Sequence, residues 1–356
     1  MSTATAPPEE EQQAPDERVS SSAGLARILR RPEIGALAGA IVIFVFFSVT
    51  TDSFIKPSGA STWIFDASTF GIMAVAVALL MIGGEFDLSA GAMWGTTGLT
   101  TGILMTEYDI NVWVAILASF VLAVMIGLLN GVLVVRTGLP SFIVTLGTFF
   151  VLQGVNLAVT KILINQVSVT GLQNVADYTD GQQIFGSHVT IPIGGSDLTL
   201  YATTFWWIAV TAVATWVLLR TRAGNWIFAV GGAQTSARQV GVPVVATKIG
   251  LFVTTALAGW LVGMCSLFKI TTVQSVSGVG QEFIFIICAV VGGCLLTGGY
   301  GSAVGAALGA LIYGMVNQGI VFEGWDSNWK YAFLGVMLLG AVLVNNWVKN
   351  RAEAVR

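Results

Sequence analysis

The chain has 356 residues, 55% of them apolar and only 10% Asp, Glu, Lys or Arg, with a net charge of -3. A soluble domain carries about 25% charged residues, so this chain cannot clothe its surface with charge. With a mean hydropathy of +0.81 and 42 glycines it reads as an all-α polytopic membrane protein. A secreted disulfide scaffold, a soluble dinucleotide-binding enzyme and a nucleic-acid binder are excluded, because no basic face is available. A membrane barrel would show alternating strands of about ten residues, not long apolar runs.

Taken in chain order, residues 1–24 hold Pro7, Pro8, Pro15, a Glu9-Glu10-Glu11 run and Ser20-Ser21-Ser22. They have little to bury and are expected to form a disordered cytoplasmic tail. Arg27, Arg30 and Arg31 then precede an apolar run with no small-residue cleavage site after Val49, the pattern of an uncleaved signal anchor. A span needs about 17 to 25 apolar residues, and windows of that length fall at 34–50, 67–83, 89–105, 112–135, 141–159, 201–219, 249–268, 283–297, 302–320 and 331–348. About ten transmembrane helices are therefore expected, within one domain over 25–348 and followed by a cytoplasmic tail at 349–356. Thr, Gly or Gln interrupt the third and fifth, and the eighth is short.

Two connections are long. Residues 160–200 form a polar outer segment with Asp177, Asp180 and Asp197, and 220–248 form the long inner loop. Lys and Arg set orientation. With the N-terminus inside, ten spans place 12 of the 16 basic residues inside, from Arg18 to Arg356, and leave Lys56, Lys161, Lys269 and Lys330 outside. Both termini are then cytoplasmic.

Chemistry-bearing residues are sparse. Cys265, Cys288 and Cys294 lie in apolar runs and are expected to pack as small hydrophobes. His188 is the single histidine and no Gly-Lys dipeptide exists, so a metal site and a phosphate-cradling loop are not expected here. Small residues four apart let helices approach closely in lipid. Gly301, Gly305 and Gly309 make such a ladder, as do Gly91 with Gly95 and Gly127 with Gly131. Two runs also echo one another: MAVAVALLMIGG ends at Gly84 and EFIFIICAVVGG ends at Gly293, as in transporters built from repeats.

Asp87 stands before the third span with Ser89, where a carboxylate bonds the free amides of a helix start. Mid-span polar side chains mark a translocation pathway or hydrogen bonds between helices. Asn130, Thr145, Thr148, Gln153, Asn156, Asn317 and Gln318 qualify, and Phe149 and Phe150 are candidates for an apolar constriction. The polar part of that set is amide and hydroxyl and carries no charge.

Four segments go further: GGEFDLSAG at 83–91, NGVLVVRTGLPSFIVTLGT at 130–148, AVGGAQTSARQVGV at 229–242 and VVGGCLLTGGYGSAVGAALGAL at 290–311. In that order and spacing the chain resembles the permease subunits of bacterial ATP-binding-cassette (ABC) importers for ribose, xylose and related monosaccharides, over about residues 34 to 348. The resemblance implies a type II importer fold and a permease homodimer. It also implies a separate cytoplasmic ATPase, often double-cassette, that binds ATP and Mg, and an extracytoplasmic sugar-binding protein. Nucleic acid is not a partner, and no cofactor is expected in this chain. Ser236-Ala237-Arg238-Gln239-Val240-Gly241 matches the family's Ala-Ala-Arg-x-x-Gly element, with Ser for the first Ala. This implies that Gly231, Gly232, Ala233, Gln234, Thr235, Ser236, Ala237, Arg238 and Gly241 form the ATPase-coupling segment. Glu85 occupies a position the family often leaves uncharged. Nucleoside or branched-chain amino acid permeases remain alternatives, as does a stand-alone secondary transporter. The last would carry an ionisable residue deep in a span, and only Asp66, Glu85 and Asp87 near span ends come close.

Overall fold

The computed structural model describes residues 32–353, with side chains described over 33–343. The expected tail at 1–24 lies outside those residues. The helices are α1 (Pro32–Thr50), α2 (Asp52–Ile55), α3 (Pro57–Ile82), α4 (Ala90–Thr106), α5 (Val112–Thr137), α6 (Ser141–Ile164), α7 (Tyr178–Gly181), α8 (Ala202–Arg220), α9 (Arg222–Gln239), α10 (Val244–Ile270), α11 (Glu282–Val291), α12 (Ala303–Phe322) and α13 (Trp329–Glu353). Four short strands join them: β1 (Ser168–Val169), β2 (His188–Ile193), β3 (Ser196–Tyr201) and β4 (Val273–Gln274).

Each expected span overlaps a helix. Seven of these helices, α1, α3, α5, α6, α8, α10 and α12, are long and apolar enough to cross a membrane. Boundaries move where a local device overrides hydropathy. Pro57 opens α3 ten residues before the expected start, at a first-turn position that suits its fixed φ. The polar first turns are pinned by Trp63, which stacks on Phe54 at 5.7 Å and donates Nε1–H to the Phe54 carbonyl at 3.2 Å. In the other direction, α11 stops at Val291 rather than 297. Its ten residues span about 15 Å, half of a hydrocarbon core of about 30 Å, so the eighth span is not a continuous helix. The long inner loop is also corrected: most of 220–248 is helical, in α9 and the start of α10.

The segment 160–200, expected outside, folds as a small cap. β1 pairs with β4 and β2 with β3, both antiparallel. Asn111 donates to the Asp177 carboxylate at 2.6 Å, and the Tyr178 hydroxyl donates to the Phe268 carbonyl at 2.6 Å. These bonds tie the cap to the loop before α5 and to the end of α10.

The sequence echo is geometric. At the end of α3 the amides of Gly83, Gly84 and Glu85 bond the carbonyls of Leu79, Met81 and Leu80; at the end of α11 those of Gly292, Gly293 and Cys294 bond Cys288, Val290 and Ala289 in the same pattern. Gly84 (φ +82°) and Gly293 (φ +92°) take the left-handed conformation this cap requires.

α3 is the central helix, buried almost throughout from Ala67 to Ile82. The glycines set how closely its neighbours pack. A Cβ on Gly127 or Gly131 would lie 2.7 Å from the Val253 Cα or 2.8 Å from the Ile249 Cα on α10. Gly305 and Gly309 on α12 abut the backbone of Gly292 and Cys288. Gly301, expected in the same ladder, lies before α12 and packs the turn against Cys294 and Ile82. All three cysteines are free and buried.

Candidate coupling and pathway site

The segment matched to the coupling element has a definite local structure. Thr221 caps α9 by accepting from the Gly224 amide. Ala233 then leaves helical geometry (φ -156°, ψ 82°), splitting off a short piece from Gln234 to Gln239. Gly241 (φ +82°) closes that piece, with the Val242 amide bonding the Ala237 carbonyl at 3.0 Å. Gln234, Thr235, Ser236, Arg238 and Gly241 are exposed, as are Gly232 and Ala233. Val240 is 80% exposed, an unusual position for a bare apolar side chain on a solvent-facing turn. Ala237 is the exception: it is buried in a cluster with Val230 and Val244.

Three glycine pairs from separate parts of the chain meet beside this piece. A Cβ on Gly231 would overlap the Ile82 carbonyl. One on Gly298 would lie 2.8 Å from the Gly84 Cα, and one on Gly299 would lie 2.7 Å from the Gly232 Cα. The Gly299 amide donates to the Ile82 carbonyl at 2.8 Å. The Gly83–Gly84 and Gly298–Gly299 turns and the helical Gly231–Gly232 step before the kink are therefore in backbone contact, which a side chain at Gly231, Gly298 or Gly299 would prevent.

Lys248, at the start of α10, joins residues that follow two of these glycine pairs through side chains. Its ammonium forms an ion pair with Glu85 and donates to the Gln234 amide oxygen at 2.8 Å. The pair is nearly buried, with the Lys248 and Glu85 side chains 12% and 9% exposed, and is the one ion pair among the described residues.

Most of the mid-span polar set is occupied by bonds between segments. Asn130 is buried; its amide donates to Ser89 Oγ at 2.9 Å and its oxygen accepts from Thr148 at 2.7 Å. Thr145 accepts from the Leu88 amide at 3.0 Å, and Asn156 donates to Thr96 at 3.1 Å. Asn317 and Gln318 both donate to Asp66, at 2.6 and 2.5 Å. Asp87 accepts from the Ser89 amide and hydroxyl at 2.8 and 2.6 Å, fixing the turn into α4.

Thus α6 turns its polar face, Ser141, Thr145, Asn156 and Thr160, inward, and Phe149 packs with Ala92, Met93 and Leu152. Its other face is bare: Phe150 and Val151 are 61% and 62% exposed, and Gly147 and Gly154 have no neighbour within 4 Å of a Cβ. Gln153 lies beside that face, half-buried.

A second feature escaped the sequence. From β4 the chain runs unhelically along the α4 glycines: Val273 packs on Gly98, Ser277 on Gly95, and Gly278 and Glu282 on Gly91. Phe285, in the first turn of α11, sits 5.7 Å from Phe70 near the middle of α3. Residues 275–281 therefore cover one half of the crossing and α11 the other. Irregular backbone at this depth must find polar partners inside the protein or line a cavity. Ser275 bonds the Val167 carbonyl, Val279 that of Val276, Gln281 that of Gly278, and the Gly280 amide bonds the Glu282 carboxylate. Val276 and Phe283 stay about half exposed, and Val279 reaches the cluster around Phe149. The signal was the Gly278-Val279-Gly280 punctuation ahead of an apolar run.

An apolar helical bundle with one broken crossing, and with an exposed helical piece wired to two repeat-like turns, defines a multi-pass membrane permease. A family model confirms it: the chain belongs, over residues 59–342, to the family described as branched-chain amino acid transport system, permease component. The family is the permease component of its transport system and not its ATP-hydrolysing one. Curated relatives include the ribose import permease protein RbsC of Escherichia coli (strain K12), 29% identical over 87% of this chain and 92% of the relative. The probable ABC transporter permease protein y4mJ of Sinorhizobium fredii is 31% identical over 90% and 91%. The fructose import permease protein FrcC of Rhizobium meliloti is 28% identical over 79% and 76%. Among the described residues no group of His, Cys, Asp and Glu could hold a metal ion.

Proposed function

We propose that this chain is the permease of a bacterial importer for a monosaccharide or related polyol, working as two copies with a separate ATPase that binds ATP and Mg. An extracytoplasmic binding protein would deliver the sugar to the capped end. The observation that carries this is the exposed helical piece 234–241, bounded by the Ala233 kink and the Gly241 turn and seated on the glycine junction. The ribose and fructose relatives supply the substrate class. The Lys and Arg balance supports a cytoplasmic position for that piece and for both termini of an inner-membrane protein. The pathway runs along the bare face of α6, with Phe150 and Gln153 lining it. Asn130, Thr145, Thr148, Phe149 and Asn156 hold that face in position, and Asn317 and Gln318 do the same for α12 against α3.

The experiment is reconstitution with the partner ATPase and binding protein, scoring uptake of labelled D-ribose, D-fructose and L-leucine and recovery of the ATPase on the permease. Uptake of a sugar is expected. Thr235→Glu and Gly232→Glu, at exposed positions with room for a side chain, are expected to cut ATPase recovery without loss of folded permease. Uptake of leucine alone would replace the sugar assignment, and unchanged ATPase recovery would move the docking site elsewhere.

A further inference from the structure

We infer that Lys248 is a positioning residue of the transport cycle: its ammonium, held by Glu85 and Gln234 together, couples the ATPase-facing helical piece to the turn between α3 and α4. This rests on the proposal that 234–241 faces the ATPase. It goes beyond that proposal by naming how force leaves the piece.

The geometry has two parts. The first is contact. Gly231 and Gly232 lie against the Gly83–Gly84 turn, which ends α3, and against the Gly298–Gly299 turn, which leads into α12. The Gly299 amide is bonded to Ile82, so the ends of the two echoing halves are already joined to each other. A displacement of 231–232 must push on both. Backbone contact transmits only a push, since glycines offer no side chain to pull with.

The second part supplies the pull. Gln234 lies immediately beyond the Ala233 kink, on the moving side of any hinge there. Lys248 grips it at 2.8 Å and grips Glu85 on the fixed side. Glu85 follows directly on the α3 cap and precedes Asp87 and Ser89, which open α4. Leu88 and Phe86 in the same stretch donate to Thr145 and Ser141 on α6. One ammonium therefore connects the helical piece, through the 85–89 turn, to the helix whose bare face is proposed to line the pathway. Charge-assisted bonds in a poorly solvated site are stronger and more directional than neutral ones, as a strap requires.

The test compares three forms in the reconstituted complex, reading ATPase recovery and ATP hydrolysed per sugar taken up. Lys248→Met alone would leave Glu85 as an uncompensated buried charge and threaten folding. The double variant Glu85→Gln with Lys248→Met removes both charges together. It is expected to keep parental ATPase recovery and hydrolysis while ATP consumed per sugar rises about tenfold, within the usual size of a coupling free energy. Lys248→Arg, which preserves charge and donors, is expected to remain within about twofold of the parent. A double variant with the parental ATP-to-sugar ratio would overturn the strap. Loss of ATPase recovery in it would also overturn the strap, placing Lys248 in docking rather than transmission. Failure of the docking proposal itself is a separate outcome, seen as unchanged recovery in Thr235→Glu and Gly232→Glu.

Discussion

Gly231 and Gly232 are adjacent and chemically identical, yet they differ sharply in what a methyl group would meet. At Gly231 it would overlap the Ile82 carbonyl, whereas at Gly232 the nearest atom is the Gly299 Cα at 3.9 Å. Gly231→Ala is expected to cost about 3 kcal/mol or to abolish folded yield, and Gly232→Ala to stay within about 0.5 kcal/mol; thermal unfolding of the detergent-solubilised protein separates the two. Ala237 shows the same dependence on surroundings. A charge there would be buried with Val230 and Val244, so Ala237→Glu should lower expression rather than report on docking, and the exposed Thr235 is the informative site. Tyr178 gives a pH test. Burial raises its phenol above the usual 10.0, so the bond to Phe268 is fully present below pH 10 and is lost only as pH climbs past the raised value. Tyr178→Phe is expected to cost about 1 kcal/mol, with the same difference in melting temperature at pH 7 and pH 9.

At the scale of the elements, the broken crossing makes the sharpest claim. Gly278 combines φ +79° with contact on the Gly91 carbonyl, so Gly278→Ala strains the backbone and separates α4 from 275–281. It should destabilise more than Gly250→Ala, where a Cβ meets nothing within 4 Å. Cysteine chemistry tests the packing of α10, α11 and the turn before α12. Cys265, Cys288 and Cys294 are 2%, 1% and 0% exposed, so a maleimide should leave them unmodified in the folded protein and react with all three in SDS. Rapid labelling of Cys288 in the native state would mean that α11 is not clamped between α3 and α12.

At the scale of the whole molecule, the bare face of α6 offers a test of the proposed assembly. Because the native cysteines are buried, Gly147→Cys can be studied without removing them. If two copies meet with their α6 faces on the two-fold axis, mild oxidation should link Gly147→Cys to itself across the dimer, while a cysteine at Val213, 59% exposed on α8, should stay uncrosslinked. The reverse result would place α6 against lipid and α8 at the dimer axis.

Ten helix positions, the polar cap and the echo of two Gly-Gly ends were legible in the sequence, because hydropathy over about 20 residues and glycine punctuation are local properties that the membrane enforces. Helix ends were less legible where Pro57 or Gly292 imposed a boundary of its own. The partners of the polar side chains were not legible at all. Asn130 reads equally as a pathway residue or as a link between helices, and only the approach of Ser89 and Thr148, 41 and 18 residues away, decides what it bonds. The same holds for Lys248, which lies 163 residues from Glu85, and for the meeting of glycine pairs at 83, 231 and 298. Composition and periodicity determined that this chain is a helical membrane bundle. Tertiary packing alone decided which groups are joined, since contacts between distant segments depend on which helices lie side by side and local sequence carries no record of that.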